Sequence, residues 1–264
     1  MYNYQGLITI LEENDIHKSS LTHLLHISSR TIAKIGRGEK LSPSVIRKLC
    51  EYFSCSPTDL YTLESDNPIL KQLQEEKDHK ISGGLYHELQ VRMTYNSNHI
   101  EGSKLNEEQT RHIFETNTVH GEESLSVDDI IETINHFRAI DYCIDIAEDP
   151  LTEENIKHLH YLLKSNTKDE TLPWFKVGDY KTRPNVVGGR ETSKPEQVAG
   201  DIQNLLAWYT NKEHISFEDI VEFHFHFERI HPFQDGNGRI GRLIAIKECL
   251  KHNLIPFIIE DRKK

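Results

Sequence analysis

Apolar residues return at helical spacing through the first part of the chain: Leu7, Ile10 and Leu11; Leu21, Leu24 and Leu25; Ile32 and Ile35; Val45, Ile46, Leu49 and Phe53. Residues three and four apart share a helix face, so each group predicts a short amphipathic helix. Polar punctuation separates them. Ser19 or Ser20 precedes the second helix, Ser28 the third, Ser42 with Pro43 the fourth, and Ser56 with Pro57 a fifth. A serine there can accept from the free N–H groups of a first turn, and proline suits the first helical position. Only His26 and Ile27 separate the second and third helices, a tight turn that makes them cross steeply. The pattern predicts a five-helix unit over residues 1–64 with a helix-turn-helix at its centre.

The run Glu64-Ser-Asp-Asn-Pro68 mixes acids, turn formers and proline, the composition of a boundary. Residues 65–84 then read as a linker and leading helix, and residues 85–264 as a second domain. Helical periodicity covers Leu85–Asn96, Glu107–Phe114, Val127–Ile146, Thr152–Leu163, Pro195–Thr210, Ser216–Glu228 and Ile240–Lys251. One stretch departs. Between Phe175 and Thr192, VGDYKTRPNVVGGRET carries a β-branched pair, two glycines and a proline, which predicts a small β-hairpin or flap. The expected fold class is all-α.

Composition narrows the class. A chain of 264 residues, 36% apolar and 28% charged, is long enough for one or two packed domains and lies outside disorder composition. No apolar run approaches the roughly 18 residues of a membrane helix, so no membrane partner is expected. Met1 to Asn14 lacks a basic head and reaches Glu12 and Glu13 where a signal peptide would be apolar, which makes the cytoplasm the expected compartment. Cys50, Cys55, Cys143 and Cys249 show no CxxC pair, hence neither a zinc nor a disulfide framework. A net charge of -11 opposes a surface that grips nucleic acid everywhere. The charge is uneven, however. Between residues 18 and 48, Lys18, Arg30, Lys34, Arg37, Lys40, Arg47 and Lys48 face only Glu39, and this basic window coincides with the helix-turn-helix.

Over most of residues 7–63 the segment resembles the Cro/C1-type helix-turn-helix family. The resemblance implies DNA as a partner, with the helix from Ser28 to Ile35 in the major groove and Ser29, Arg30 and Lys34 near bases or phosphates. Paired half-sites, common for such modules, leave a homodimer open. The competing reading is a small helical bundle used for protein contacts.

The chemistry concentrates in His231-Pro-Phe-Gln-Asp-Gly-Asn-Gly-Arg-Ile-Gly-Arg242. Gly236 and Gly238 let the backbone approach a ligand where a helix starts, so free N–H groups and the helix dipole face one anion. Arg239 and Arg242 lie three apart, and if Arg239 opens the helix both project from one face. Asp235 stands where one carboxylate can hold Mg2+ together with phosphate oxygens. His231 is the side chain there that accepts a proton near neutral pH. These are the parts of a phosphoryl or nucleotidyl transfer site. Reading His224, His226 and His231 as zinc ligands is opposed by geometry, because alternate residues on a helix diverge by about 200° and no HExxH is present.

HPFQDGNGRIGR resembles the Fic family motif HPFx(D/E)GNGRxxR at each defined position, and LTEENIKHLHYLL, GDYKTRPNVVGG and HFHFERIHPF are also similar to Fic sequence. The resemblance runs from about Tyr86 to Phe257. It implies a mainly helical domain with a β-hairpin flap and an enzyme that moves AMP from ATP, with Mg2+, to a Ser, Thr or Tyr hydroxyl of a target protein. By the same resemblance His231 would deprotonate that hydroxyl, Asp235 would bind Mg2+, and Phe233 would anchor the loop in the core. Gly236, Asn237 and Gly238 would bind phosphates, Arg239 the pyrophosphate part and Arg242 the γ-phosphate. Lys181, Thr182, Arg183, Pro184, Asn185, Val186 and Val187 would form the flap on which the target backbone lies by β-augmentation. The related Doc kinases carry a shorter loop with Lys where Gly238 stands, so phosphorylation is less expected.

A second resemblance lies upstream. Ser97-Asn-His-Ile-Glu-Gly102 is similar to the inhibitory pattern (S/T)xxxE(G/N) of Fic proteins. Four residues separate Ser97 from Glu101, so one helical turn places both on one side, and Gly102 suits a C-cap. A carboxylate there can pair with Arg242 and remove the arginine that the γ-phosphate needs. The resemblance implies an autoinhibited protein adenylyltransferase in which the same glutamate can support removal of AMP. The alternative is a transcription regulator whose Fic domain is a catalytically blocked nucleotide-sensing or interaction module.

Overall fold

The computed structural model describes residues 2–63, 67–119 and 125–260. The chain forms two compact units, Met1–Ser82 and Gly83–Lys264. In the first, helices α1 (Gln5–Glu13), α2 (Leu21–Leu24), α3 (Ser29–Arg37), α4 (Pro43–Phe53) and α5 (Pro57–Leu60) are followed by α6 (Pro68–His79), and a 3-10 turn at Lys18–Ser20 leads into α2. The ends of the five-helix segment are tied by strands β1 (Tyr2–Asn3) and β2 (Thr62–Leu63), antiparallel, with Tyr2 opposite Leu63. Two-residue strands are too short for an alternating pattern, so periodicity did not predict this ladder.

Each helix buries one stripe. Leu7 and Leu11 of α1, Leu21 of α2, Ile32 and Ile35 of α3, Leu49 of α4 and Leu60 of α5 meet in one core, each side chain worth roughly 1.5–3 kcal/mol of apolar burial. Gly6 lets α1 lie against α5, since a Cβ there would stand 2.1 Å from the carbonyl oxygen of Asp59. The serines divide into two groups. Ser28 Oγ accepts from the Thr31 N–H at 3.2 Å, and Ser56 forms a capping box with Asp59, whereas Ser20 and Ser42 make no side-chain cap bond. Residues 64–66 of the expected boundary lie outside the described residues. Helix α6 belongs to the first unit: Asn67 Oδ1 caps it, Leu70 and Leu73 are buried, and Asp78 accepts from Lys40 Nζ at 3.1 Å and the Tyr61 hydroxyl at 3.2 Å.

The second unit contains α7 (Leu85–Ile100), α8 (Glu107–Thr116), α9 (Val127–Asp145), α10 (Glu153–Lys164), α11 (Pro195–Thr210), α12 (Phe217–Ile230) and α13 (Asn237–Lys251). Capping boxes at Asn106, Thr152 and Ser216 fix the starts of α8, α10 and α12. Helix α7 runs one turn beyond its apolar periodicity because Ser97 and Asn98 are buried polar residues, and Asn98 Nδ2 donates to Thr133 Oγ1 of α9 at 3.2 Å. The extended stretch condenses to a hairpin, β3 (Val186–Val187) against β4 (Arg190–Glu191). Gly188 and Gly189, at φ +56° and +76°, make its two-residue turn, the positive-φ pair that matches strand twist.

Helix α13 is the axis of this unit, with α7, α9, α10 and α12 packed on it. It is buried all round, and Arg239, Arg242, Lys247 and Glu248 are enclosed along with Ile240, Leu243, Ile244 and Leu250. Enclosed charges must find partners within the fold, and these partners make the site. Among the described residues, which include the four cysteines, no disulfide forms, and no helix is long and apolar enough to cross a membrane.

Candidate active site

Helix α12 stops at His231, which takes the left-handed conformation at φ +51°, and α13 opens at Gly236, φ +80°. The loop between them is held from inside. Phe233 is fully buried and stacks on the His160 ring of α10, centroids 4.0 Å apart and planes within 2°. Asn237 Oδ1 accepts from the Phe233 N–H at 2.8 Å, and its Nδ2 donates to the Phe233 carbonyl at 2.9 Å. The Asn237 side chain is thus spent on closing the loop. Gly236 needs its glycine twice over, for its positive φ and because a Cβ would come within 3.3 Å of Leu163 Cδ2.

His231 turns its imidazole back over the last turn of α12, Nδ1 standing 3.4 Å from the Glu228 carbonyl oxygen. Burial, helped by the nearby Lys181 charge, lowers its pKa below the usual histidine value. The neutral ring that results at physiological pH is the form that accepts a proton.

At the mouth of α13 a carboxylate is already in place. A Cβ on Gly238 would stand 2.2 Å from Glu101 Oε1, so the Glu101 side chain lies directly on the helix start. Arg242 reaches the same carboxylate: its Nη2 donates to Glu101 Oε1 at 2.6 Å and to the Ser97 carbonyl at 3.0 Å, and its Nε donates to Ser97 Oγ at 2.9 Å. Gly102, φ +96°, turns the chain away after Glu101. Ser97, Glu101, Gly102, Gly238 and Arg242, remote in sequence, therefore meet at one point.

Arg239 points elsewhere. It donates to Glu132 of α9 through Nη1 and to Asp235 Oδ2 at 3.3 Å through Nη2. Lys164, at the end of α10, places its buried ammonium 2.5 Å from Glu132, 2.7 Å from Asp169 and 2.7 Å from Asp235. Burial opposes the Lys164 charge, but Asp235 and Glu132 outweigh it and raise the pKa. Burial likewise opposes the Asp235 charge, yet Lys164 and Arg239 hold it down to about 2. His136 of α9, fully buried with Nδ1 3.0 Å from Thr94 Oγ1, is pushed down to about 3 by burial and then by Arg239 and Arg242. It stays neutral between the two guanidinium groups.

This arrangement bears on magnesium. Oxygens of Glu132, Asp169 and Asp235 converge within 4.8 Å of one another, but the Lys164 ammonium binds all three, so they do not make an all-protein cage. Asp235 fits a different donor set. It is ionised and 51% exposed at the side chain, which suits a cation held by one carboxylate and completed by substrate oxygens.

The flap residues divide in two. Lys181 is 3% exposed, and its Nζ donates to Asn185 Oδ1 and Thr192 Oγ1, both at 2.7 Å, and to the Ile230 carbonyl at 3.3 Å. Asn185 Nδ2 donates to the Phe233 carbonyl at 3.1 Å. These two residues tether the flap to the motif loop. Thr182 Oγ1 donates to the Trp174 carbonyl at 2.9 Å, and Arg183 lies over the Trp174 ring at 4.5 Å. Pro184, Val186 and Val187 are exposed. In the first unit, Ser29 and Arg30 are exposed and Lys34 partly so, with Arg30 and Lys34 on the side of α3 away from Ile32 and Ile35.

Glu132, Lys164 and His136 escaped the sequence reading because each acts through a contact remote along the chain, and Asp169 and Glu228, though near their partners Lys164 and His231, carry no spacing that marks them. For His160 a signal existed: it shares the apolar face of α10 with Ile156, Leu159 and Leu163.

Residues 150–249 match the model of the Fic/DOC family, and residues 7–66 that of the Cro/C1-type HTH DNA-binding domain. The protein adenylyltransferase Fic of Drosophila erecta is 29% identical over 177 residues, covering 64% of this chain and 34% of the fly protein. That of Aedes aegypti is 24% identical over 181 residues, covering 67% and 35%. The chain thus spans about a third of the length of these curated relatives. A Fic domain containing signaling protein from Bacteroides thetaiotaomicron superposes with a TM-score of 0.60 at 28% identity, over 73% of this chain and 76% of that one. A Fic family protein from Desulfovibrio desulfuricans, with a TM-score of 0.54 at 24% identity over 70% and 58%, shares the fold. The chain carries a domain of the Fic/DOC family and, before it, a Cro/C1-type helix-turn-helix domain.

Proposed function

We propose that this chain is an autoinhibited protein adenylyltransferase that moves AMP from ATP to a Ser, Thr or Tyr hydroxyl of a target protein, and of itself, while its N-terminal unit binds DNA. The observation that carries this reading is the Glu101 carboxylate, seated on Gly238 and paired with Arg242 at a helix N-terminus, a place that favours an anion. A triphosphate belongs at that point by the same electrostatics. Its γ-phosphate would take Arg242, the N–H groups of Gly236, Asn237 and Gly238 would face the phosphate chain, and Arg239 would add charge from beside it. Mg2+ held by Asp235 would neutralise phosphate charge. His231, neutral, would take the proton of the target hydroxyl as its oxygen bonds to the α-phosphorus and the bond to the leaving pyrophosphate breaks. The exposed edge at Val186 and Val187 would receive the target backbone.

In this reading Glu101 competes with the γ-phosphate for one guanidinium, so its removal activates. Glu101 could also orient water for the reverse removal of AMP. A second reading, a regulator with a blocked domain, draws on the internal pairing of both Arg239 and Arg242. The test incubates the full chain and Glu101→Gly with Mg2+ and ATP labelled at the α- or γ-position. The expected result is α-label on protein, raised by at least about tenfold in the variant. Equal α-labelling of parent and variant would overturn autoinhibition, and γ-label on protein would overturn AMP transfer. ATP binding without any labelling would leave the blocked module.

A further inference from the structure

A second carboxylate stands behind the base. Glu228 precedes His231 by three residues, which puts both on one face of the last turn of α12, and the positive φ of His231 folds the imidazole back toward it. Nδ1 lies 3.9 Å from Glu228 Oε2 and 3.4 Å from the Glu228 carbonyl oxygen, so both acceptors that it faces belong to one residue. These separations are loose, as catalytic hydrogen bonds often are before substrate binds.

The placement of Glu228 is costly and therefore informative. Its Oε1 is buried without a hydrogen-bond partner, as is His224 Nδ1 one turn earlier. Both are pressed against Gly241 of α13, where a Cβ would stand 2.8 Å from Oε1 and 2.6 Å from His224 Nδ1. A glycine inside the central helix is less stabilising than alanine, and an orphaned buried polar atom is a further cost. Burial pushes the Glu228 carboxyl up to about 7; Arg242 acts against that shift and Glu101 with it. Its charge thus changes where an imidazole titrates. The groups facing this pair are His224 on α12, Arg242 on α13, Glu101 after α7, Lys181 at the start of the flap and Asp235 in the motif loop.

We infer that Glu228 is the positioning residue of the base: its carboxylate and carbonyl hold Nδ1–H, present Nε2 to the target hydroxyl, and supply the counter-charge when His231 takes the proton. The proton moves from the hydroxyl to Nε2 and Nδ1 keeps its own; the active form of the pair is the one above the Glu228 midpoint of about 7, in which Glu228 is ionised before and after the transfer. This deepens the AMP-transfer reading and rests on it for the identity of the hydroxyl.

The test has two arms. In the full chain, the His231 ring is titrated by NMR in the parent and in Glu228→Gln, with His231→Asn to assign the signal. Losing the negative charge should lower the His231 midpoint by at least about one pH unit. In the Glu101→Gly background, Glu228→Gln should lower kcat by at least about tenfold at unchanged KM for ATP, and the acid limb of the pH profile should move to lower pH. A merely structural glutamate would alter Tm or KM and leave the titration unmoved. An unchanged His231 midpoint in a folded Glu228→Gln chain overturns the proposal. If Glu228→Gln does not fold, Glu228→Asp, which draws the charge back by one methylene, must lower the midpoint by a smaller amount, and no shift overturns the proposal equally. If no variant transfers AMP, the enzymatic reading fails while the titration still decides the part Glu228 plays.

Discussion

Helices α3 and α13 both carry basic side chains suited to anions, yet they hold them in opposite ways. Helix α3 buries Ile32 and Ile35 and leaves Arg30 in solvent with Lys34 partly covered. Water satisfies such a charge at no cost to the fold. Helix α13 is enclosed on every side, so Arg239 and Arg242 must be neutralised by the chain itself: by Glu132 and Asp235 in one case, by Ser97 and Glu101 in the other. An exposed cation waits for its anion, whereas a buried one already has it. On the proposed reading, inhibition follows from burial, because any phosphate arriving at α13 must displace a carboxylate that the fold supplies.

The largest test of this contrast is Lys164→Met, which removes the buried cation shared by Glu132, Asp169 and Asp235. Breaking these pairs of a fully buried ammonium, with only Arg239 left to hold Glu132 and Asp235, should cost about 3 kcal/mol in urea unfolding of the second unit. A loss as small as that of a surface lysine would break the comparison. Gly241→Ala comes next. Its Cβ would meet His224 and Glu228 at 2.6 and 2.8 Å, and such overpacking should cost about 1–3 kcal/mol.

Acid should act on the same network. Asp235 is held down to about 2, below the roughly 3.9 of an unfolded aspartate. A depressed carboxyl stabilises the fold fully above about pH 4 and loses that contribution as pH falls through about 2. Urea midpoints of the parent should therefore drop across that window, and those of Asp235→Asn should drop less. The smallest effects belong to α3. Arg30→Ala and Lys34→Ala should each change stability by less than about 0.5 kcal/mol, while each lowers the slope of log affinity for DNA against log salt by about 1. An unaltered slope would remove these residues from the phosphate contacts.

Much of the fold was legible because apolar residues repeat at helix spacing and serine, asparagine or threonine marks the helix starts. The contact of Ser97 and Glu101 with Arg242 was legible too, since Ser97 and Glu101 lie one turn apart and the motif names Arg242 as their partner. Less legible was the inside of the site. Lys181, expected in the flap, is buried as its tether, and the Asn237 side chain closes its own loop, which leaves its backbone N–H for a ligand. Both are polar residues whose bonding is decided by neighbours far along the chain.

What the sequence alone determined are the properties that repeat or lie close together: two helical units, a basic helix-turn-helix, a glycine-rich helix start flanked by histidine and arginine. What only the tertiary structure decided is which charges meet. Lys164 is separated from Glu132 by 32 residues and from Asp235 by 71, and Arg242 from Glu101 by 141. Local spacing carries no information about such pairs. Their association is driven by the desolvation that a closed helical bundle imposes on every charge at its axis, and that cost exists only once the surrounding helices have packed.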